Sequence, residues 1–253
     1  VEYHYAQKKN LAQKRQHLVH NDKNGLKKLA IIRGSDINKW EMQNYEPLKN
    51  IYNITAYAAT QTRYDASGLE IPLVRLPYKG SGISTYLVGL EDRLSGSDII
   101  FSADISYMFS AQSVIAKKKY GSKLICLEWE NIPFNFNDNN EVRRVKEIVL
   151  EGADHYIAVT QRAKEALMLE GVPEKKIDVI FMGIDLSLFS PCKDEAVKLR
   201  EKLGIDGNEL VILFIGRMVW EKGVYDFVHA AASVISDKTL SEHPVKFLMV
   251  GKG

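Results

Sequence analysis

The run Leu210 to Gly223, LVILFIGRMVWEKG, constrains this chain more than any other stretch. Its opening residues, Leu210 to Gly216, hold only apolar side chains and a closing Gly. That is too short to cross a bilayer and right for a parallel strand buried on both faces. Arg217 follows directly and Lys222 comes shortly after, succeeded by Gly223 and by Val224, Phe227, Val228, Ala231, Val234 and Ile235 at helical spacing. Strand, loop and helix therefore place two cations where the strand ends and the helix begins. Ligands of open α/β sheets bind beyond the carboxyl ends of the strands, and a helix N-terminus offers free N–H groups and partial positive charge. An Arg fork and a Lys point charge converging there suit a diphosphate better than a lone carboxylate. The same loop also reads as an ordinary surface connection in which Arg217 and Lys222 pair with Glu221 and Asp226.

Strand and helix signals alternate upstream. Leu29 to Ile32 reads as a first strand, followed by Arg33-Gly34-Ser35-Asp36 and a polar helix from Asn38 past Trp40 toward Leu48. Further strands are expected at Ile54–Tyr57, Leu73–Leu76, Asp98–Phe101, Lys123–Leu127, Asp154–Val159 and Ile177–Phe181, with helices over Ile83–Leu94, Ser106–Lys118 and Glu141–Leu150. Thr160 is placed to cap a helix ended by Gly171 and Pro173. Such alternation implies parallel βαβ units and a Rossmann-like α/β domain. Gly34 and Ser35 stand where a first βα loop could face an acceptor, although an ordinary turn explains them equally. Glu128-Trp129-Glu130-Asn131 leaves the fifth strand on the ligand side, where Glu128, Glu130 and Asn131 could bind sugar or polyol hydroxyls and Trp129 could stack; a solvent-facing loop is the competing reading. His155 reads as structural.

Composition excludes more than it proposes. With 253 residues, 45% of them hydrophobic, and a formal charge of +2, the chain is globular and carries no global argument for nucleic acid. Residues 1–26 form a basic, polar extension with a helical segment over Ala6–Val19; His17 and His20 sit at i,i+3 but lack a carboxylate or Cys beside them. Cys126 and Cys192 are too few for a disulfide framework or zinc site, and a reducing, cytoplasmic setting fits. No signal peptide or membrane-crossing run is visible. Lys117-Lys118-Lys119 with Lys123 could draw the protein to anionic lipid, or could simply be the solvated end of a helix.

Gly216-Arg217 with Glu221-Lys222-Gly223, Ala158-Val159-Thr160, and Gly183-Ile184-Asp185 with Phe189 resemble the family 4 retaining glycosyltransferases, which have the GT-B fold. The resemblance covers residues 27–253. It implies a Rossmann-like acceptor-side domain over 27–190, a linker over 191–209 with a helix at Glu195–Leu203, and the start of a nucleotide-sugar-binding domain over 210–253, cut short. In that family the residues matching Arg217 and Lys222 bind the donor diphosphate, Gly216 lies beside them, and Gly251-Lys252-Gly253 resembles the next donor-side loop. Many relatives carry a His near the fifth strand; this chain has none there, so no histidine role is carried over.

The function implied is transfer of a hexosyl unit from a nucleotide diphosphate sugar to an acceptor hydroxyl with retention, in a cleft between domains. The acceptor would be a glycan, lipid-linked or small molecule. The sequence contains no Asp-x-Asp, so a metal-independent reaction without cofactor is expected. A fragment ending at Gly253 would be inactive alone. The alternatives are a nucleotide-sugar epimerase of the same architecture and a non-catalytic binding module.

Overall fold

The structure, a computed structural model, describes residues 25–237 and 244–253. The expectations for His17, His20 and the Ala6–Val19 helix lie outside the described residues. Two compact units divide at Ile184 and Asp185.

The first unit is built on strands β1 (Lys28–Gly34), β2 (Asn53–Ala59), β3 (Leu73–Leu76), β6 (Ile99–Ala103), β7 (Lys123–Glu128), β8 (His155–Ala158) and β9 (Ile177–Val179). They form one seven-stranded sheet in the order β3-β2-β1-β6-β7-β8-β9, and every neighbouring pair is parallel. Strand order reverses between β1 and β6, which makes that pair the topological switch point where a ligand crevice is expected. A short antiparallel pair, β4 (Tyr78–Lys79) and β5 (Tyr86–Leu87), stands beside the sheet. The helices are α1 (Lys39–Met42), α2 (Leu90–Arg93), α3 (Met108–Tyr120), α4 (Asn140–Gly152) and α5 (Gln161–Leu169).

Side chains at alternate strand positions enter opposite cores. On one face Ala30, Ile32, Ile100, Leu124 and Tyr156 meet Phe109 and Val114 of α3 and Val145 and Val149 of α4. Gly152 lets α4 close on α3, because a Cβ there would overlap Val114. On the other face Leu29, Ile31, Ala56, Phe101 and Leu127 meet Ile37, Met42 and Tyr45. Part of this second face is open as a groove of about 540 Å³ between Ile31, Phe101, Leu127, Ile157 and Met182.

Two expected helices differ. The segment after Asn38 starts as predicted, with the Asn38 side chain accepting the Glu41 N–H, but α1 stops at Met42 and resumes as a 3₁₀ turn over Glu46–Asn50. Pro47 supplies the reason, since it has no N–H to continue an α-helix. The Ile83–Leu94 helix is replaced by a 3₁₀ turn at Gly82–Ser84, β5 and then α2. Gly80 and Gly89, at φ of 75° and 77°, turn the chain out of helical geometry on either side of β5. Thr160 caps α5 as expected, its Oγ1 accepting the Ala163 N–H at 3.0 Å.

The second unit holds α6 (Lys193–Lys202), β10 (Leu210–Ile215), α7 (Val224–Ser236) and β11 (Val245–Val250). β10 and β11 pair in parallel. Phe214, Phe227 and Phe247 form its apolar centre, with ring centroids 5.4 and 5.9 Å apart along the chain of contacts. The expectation that β10 is buried on both faces is not met: Leu213 is 49% exposed and Ile215 72%. Two strands and one adjacent helix can cover only one face of the pair.

Candidate functional site

Each unit offers a site at the carboxyl ends of its strands. In the second unit the two strand exits run side by side. The Gly216 N–H donates to the Val250 carbonyl at 3.0 Å and the Met218 N–H to the Lys252 carbonyl at 2.9 Å, so the ladder continues beyond both strands. A Cβ on Gly251 would overlap the Gly216 carbonyl oxygen, and one on Gly253 would lie 2.5 Å from that of Met218. The glycines of Gly251-Lys252-Gly253 are thus required by backbone contact within the unit. Trp220–Lys222 forms a 3₁₀ turn, Gly223 adopts φ of 75°, and α7 begins. Arg217 and Lys222 are exposed in this connection. Among the described residues neither forms an ion pair, with Glu221, Asp226 or any other carboxylate. The surface-pair reading of this loop is therefore absent from its geometry. Two uncommitted cations flank the start of a helix of thirteen residues, a setting that favours an anion.

In the first unit the exits of β1, β6 and β7 meet at the switch point. Gly34 has φ of 54°, and a Cβ there would lie 2.5 Å from the Phe109 ring, so Gly34 serves both a left-handed turn and the close seating of α3. Ser35 is half-buried, and its carbonyl accepts the Arg63 N–H at 2.8 Å. Asp104 and Glu128 form a reciprocal clasp. Asp104 Oδ1 accepts the Trp129 N–H at 2.9 Å, whereas Glu128 Oε2 accepts the Ile105 N–H and Oε1 the Glu130 N–H, both at 3.1 Å. Each carboxylate holds the other strand's exit. Asp104 is itself strained, at φ of 24°. Although Asp104 is only partly covered as a residue, the packing around its carboxyl pushes it up to about 6 against the pull of Arg33. Burial likewise pushes Glu128 well above the usual carboxylate range, with Asp104 adding repulsion.

This geometry redistributes the roles expected of the β7 exit. Glu128 is 2% exposed and bonded to backbone, which makes it a framework residue rather than an open hydroxyl acceptor. Glu130 is similarly engaged: Oε1 accepts the Asn131 and Ile132 N–H groups at 2.9 and 3.0 Å, and Oε2 accepts from Asn135 at 2.7 Å. Asn131 stays exposed, its Oδ1 held by the Thr160 hydroxyl at 3.1 Å. The residues with unused capacity lie at the β1 exit. Arg33 is buried, its Nη2 is 2.7 Å from Glu41, and its Nε and Nη1 have no protein acceptor. Asp36 Oδ2 accepts from the Tyr107 hydroxyl at 3.0 Å, while Oδ1 accepts no hydrogen bond and has Arg63 Nη1 at 3.5 Å. Sequence reasoning passed over Arg33, Asp36, Asp104 and Tyr107, although charged residues at a strand exit, as in Arg33-Gly34-Ser35-Asp36, are a usable signal.

Elsewhere the outlying signals resolve locally. Lys117 and Lys123 pair with Asp154 at 2.9 and 3.7 Å, and Lys119 with Asp92 at 2.8 Å, so the basic cluster consists largely of ion pairs with its own fold. His155 pairs with Asp178 at 2.8 Å. No group of three metal-binding side chains occurs among the described residues, and none of their helices is long and apolar enough to cross a membrane.

No family model matches the sequence. The chain is 36% identical over 104 residues to a D-inositol 3-phosphate glycosyltransferase of Gordonia bronchialis, covering 41% of this chain and 22% of the relative. It is 30% identical over 103 residues to an uncharacterized glycosyltransferase of Methanocaldococcus jannaschii, covering 38% and 24%. The chain thus spans about a quarter of the length of the curated relatives it matches. Among solved structures it resembles Anabaena HepE in complex with UDP-glucose, with TM-score 0.70 and 18% identity over 89% of this chain and 60% of that one. It also resembles a UDP-GlcNAc 2-epimerase from Neisseria meningitidis bound to UDP-GlcNAc, with TM-score 0.53 and 14% identity over 88% and 66%. The architecture they share with this chain is the GT-B-like α/β fold.

Proposed function

We propose that this chain belongs to a glycosyltransferase that moves a hexosyl unit from a nucleotide diphosphate sugar to an acceptor hydroxyl with retention of configuration. The observation that carries the reading is the unpaired state of Arg217 and Lys222 at the β10 exit, beside the first turn of α7. Its supports are the glycosyltransferase relatives and the UDP-glucose complex of a protein with the same fold. As the bond from the anomeric carbon to the diphosphate breaks, negative charge grows on the leaving oxygens. Arg217 offers a planar pair of donors to two of them and Lys222 a point charge, while the α7 amides add their dipoles. Removing one such donor typically costs ~100–1000-fold in rate. Gly251 and Gly253 let the two strand exits run in close backbone contact with Gly216 and Met218 beside this site. In the first unit, half-buried Ser35 beside Gly34 and the exposed Asn131 amide are the groups with capacity for an acceptor hydroxyl, while the unpartnered atoms of Arg33 and Asp36 are buried and serve the frame.

We further propose that the reaction needs neither metal nor cofactor, since two cations replace the charge a divalent ion would supply and the sequence contains no Asp-x-Asp. A cytoplasmic setting fits the two free cysteines, Cys126 buried and Cys192 exposed. The epimerase reading stands second because an epimerase shares the fold. Product analysis separates them. Screening UDP-, GDP- and ADP-sugars with and without acceptor, using the full-length protein that carries this chain, should give sugar transfer that collapses in Arg217→Ala and Lys222→Ala. Interconversion of the nucleotide sugar without acceptor would instead select the epimerase.

A further inference from the structure

The loop from β7 to α4 has a construction that the reading above leaves unexplained. Trp129, Ile132, Phe134 and Phe136 are exposed at 40, 62, 53 and 43%. Phe134 and Phe136 also adopt φ of 59° and 63°, in the left-handed region that bulky side chains avoid. Strained backbone of this kind persists only where its surroundings determine it. Here they do. The Lys146 ammonium, with its side chain 4% exposed, donates to Glu170 at 2.7 Å, to the Asn137 side chain at 3.0 Å and to the Asn135 carbonyl at 3.2 Å. The Glu170 oxygen that it meets also accepts the Phe134 N–H at 2.9 Å. Asn135 donates to Glu130 at 2.7 Å and accepts the Phe136 N–H at 3.0 Å. Asn135 and Asn137 thus form the inner frame, and the phenylalanines that alternate with them are left outward.

We propose that this loop is a carbohydrate platform, on which the ring of a neutral glycan acceptor stacks against Phe134, Phe136 and Trp129. The proposal rests on the glycosyl-transfer reading and narrows its acceptor to a neutral glycan. Three observations favour a glycan over other occupants. The exposed groups are largely flat aromatic faces, which suit the C–H face of a pyranose, and the neighbouring Asn131 amide keeps an unengaged NH₂ for a hydroxyl. Residues 129–139 contain no Lys or Arg, so the loop has nothing to attract a phosphate or an anionic lipid surface. It also starts at the carboxyl end of β7, directly after the Asp104–Glu128 clasp, on the ligand side of the sheet. A frame already rigid before binding loses little freedom when a flexible glycan settles on it.

The test uses the double variant Phe134→Asn/Phe136→Asn. Asn tolerates positive φ, so the thermal midpoint should hold or rise, whereas a merely structural role for the rings would lower it. Parent and variant are compared on an array of neutral α- and β-linked di- to tetrasaccharides of hexoses and N-acetylhexosamines, on phosphatidylglycerol vesicles, and for nucleotide-sugar binding. The expected result is retention of a class of these glycans by the parent, weakened about tenfold or more in the variant with nucleotide-sugar affinity unchanged. No retention by the parent, equal retention by the variant, or vesicle binding lost in the variant without any glycan binding would each overturn the proposal. Glycan retention without nucleotide-sugar binding would sink the glycosyl-transfer reading while leaving a carbohydrate site; the reverse pattern would sink the platform alone.

Discussion

Lys146→Met removes the cation at the centre of the β7–α4 loop while keeping most of the side chain's volume. Lys146 and Glu170 have side chains only 4% and 6% exposed, so the substitution strands a buried carboxylate rather than a solvated one. It also takes the donor from the Asn135 carbonyl and the Asn137 side chain, leaving the Glu170 carboxylate with the Phe134 N–H at 2.9 Å. Breaking a buried pair from one side typically costs ~3–5 kcal/mol, a large part of the ~5–15 kcal/mol that holds a domain together. Replacing both partners by apolar groups of similar size costs far less, because no charge is left uncompensated. The Lys146→Met, Glu170→Met and double variants therefore form a cycle measurable by urea unfolding followed by circular dichroism. The single Lys146→Met change should lose about 3 kcal/mol, and the double variant should lose less than the sum of the singles by more than about 1 kcal/mol. A loss below about 1 kcal/mol for Lys146→Met, or strict additivity in the cycle, would refute the claim that this pair fixes the loop.

The remaining predictions concern the two strand-exit sites. Gly251→Ala should destabilise the protein by about 1–3 kcal/mol, since its methyl would overlap the Gly216 carbonyl, as thermal melts would show; an unchanged midpoint would contradict the contact. For Asp104 the folded carboxyl titrates at about 6 and the ordinary value is 3.8, so the folded state binds the proton more tightly. Its contribution to stability is thus greatest at low pH, declines as pH rises from about 4 to about 6, and is flat above. Asp104→Asn keeps an oxygen for the Trp129 N–H and should flatten that decline in unfolding measured across this window. Chelation with EDTA should leave glycosyl transfer unchanged if Arg217 and Lys222 carry the charge; loss of activity restored by a divalent ion would refute metal independence.

The βαβ order was legible because hydrophobic runs such as Leu29–Ile32 and Leu210–Ile215 are local signals, and so was the Thr160 cap. The helices that failed were decided by single residues, Pro47 and Gly89, inside otherwise plausible patterns. The second unit's strand was misjudged for a different reason: burial depends on what packs against a strand, and composition alone does not reveal it. At the sites, Arg217 and Lys222 could be placed at a strand exit from spacing, yet only coordinates show that Glu221 and Asp226 leave them unpaired. Glu128 illustrates the opposite case. Its position beside Trp129 suggested ligand contact, but its oxygens serve the backbone N–H groups of Ile105, 23 residues away in the turn after β6, and of Glu130, a pairing that no local pattern announces.

The most direct test of the account is calorimetric titration of the full-length protein that carries this chain with UDP-, GDP- and ADP-sugars, repeated with Arg217→Ala and Lys222→Ala. The account predicts binding of one nucleotide sugar that weakens at least tenfold in each variant, about 1.4 kcal/mol per lost cation, with thermal stability unchanged. Binding indifferent to both substitutions, or no binding by the parent, would contradict the diphosphate site on which the proposed function stands.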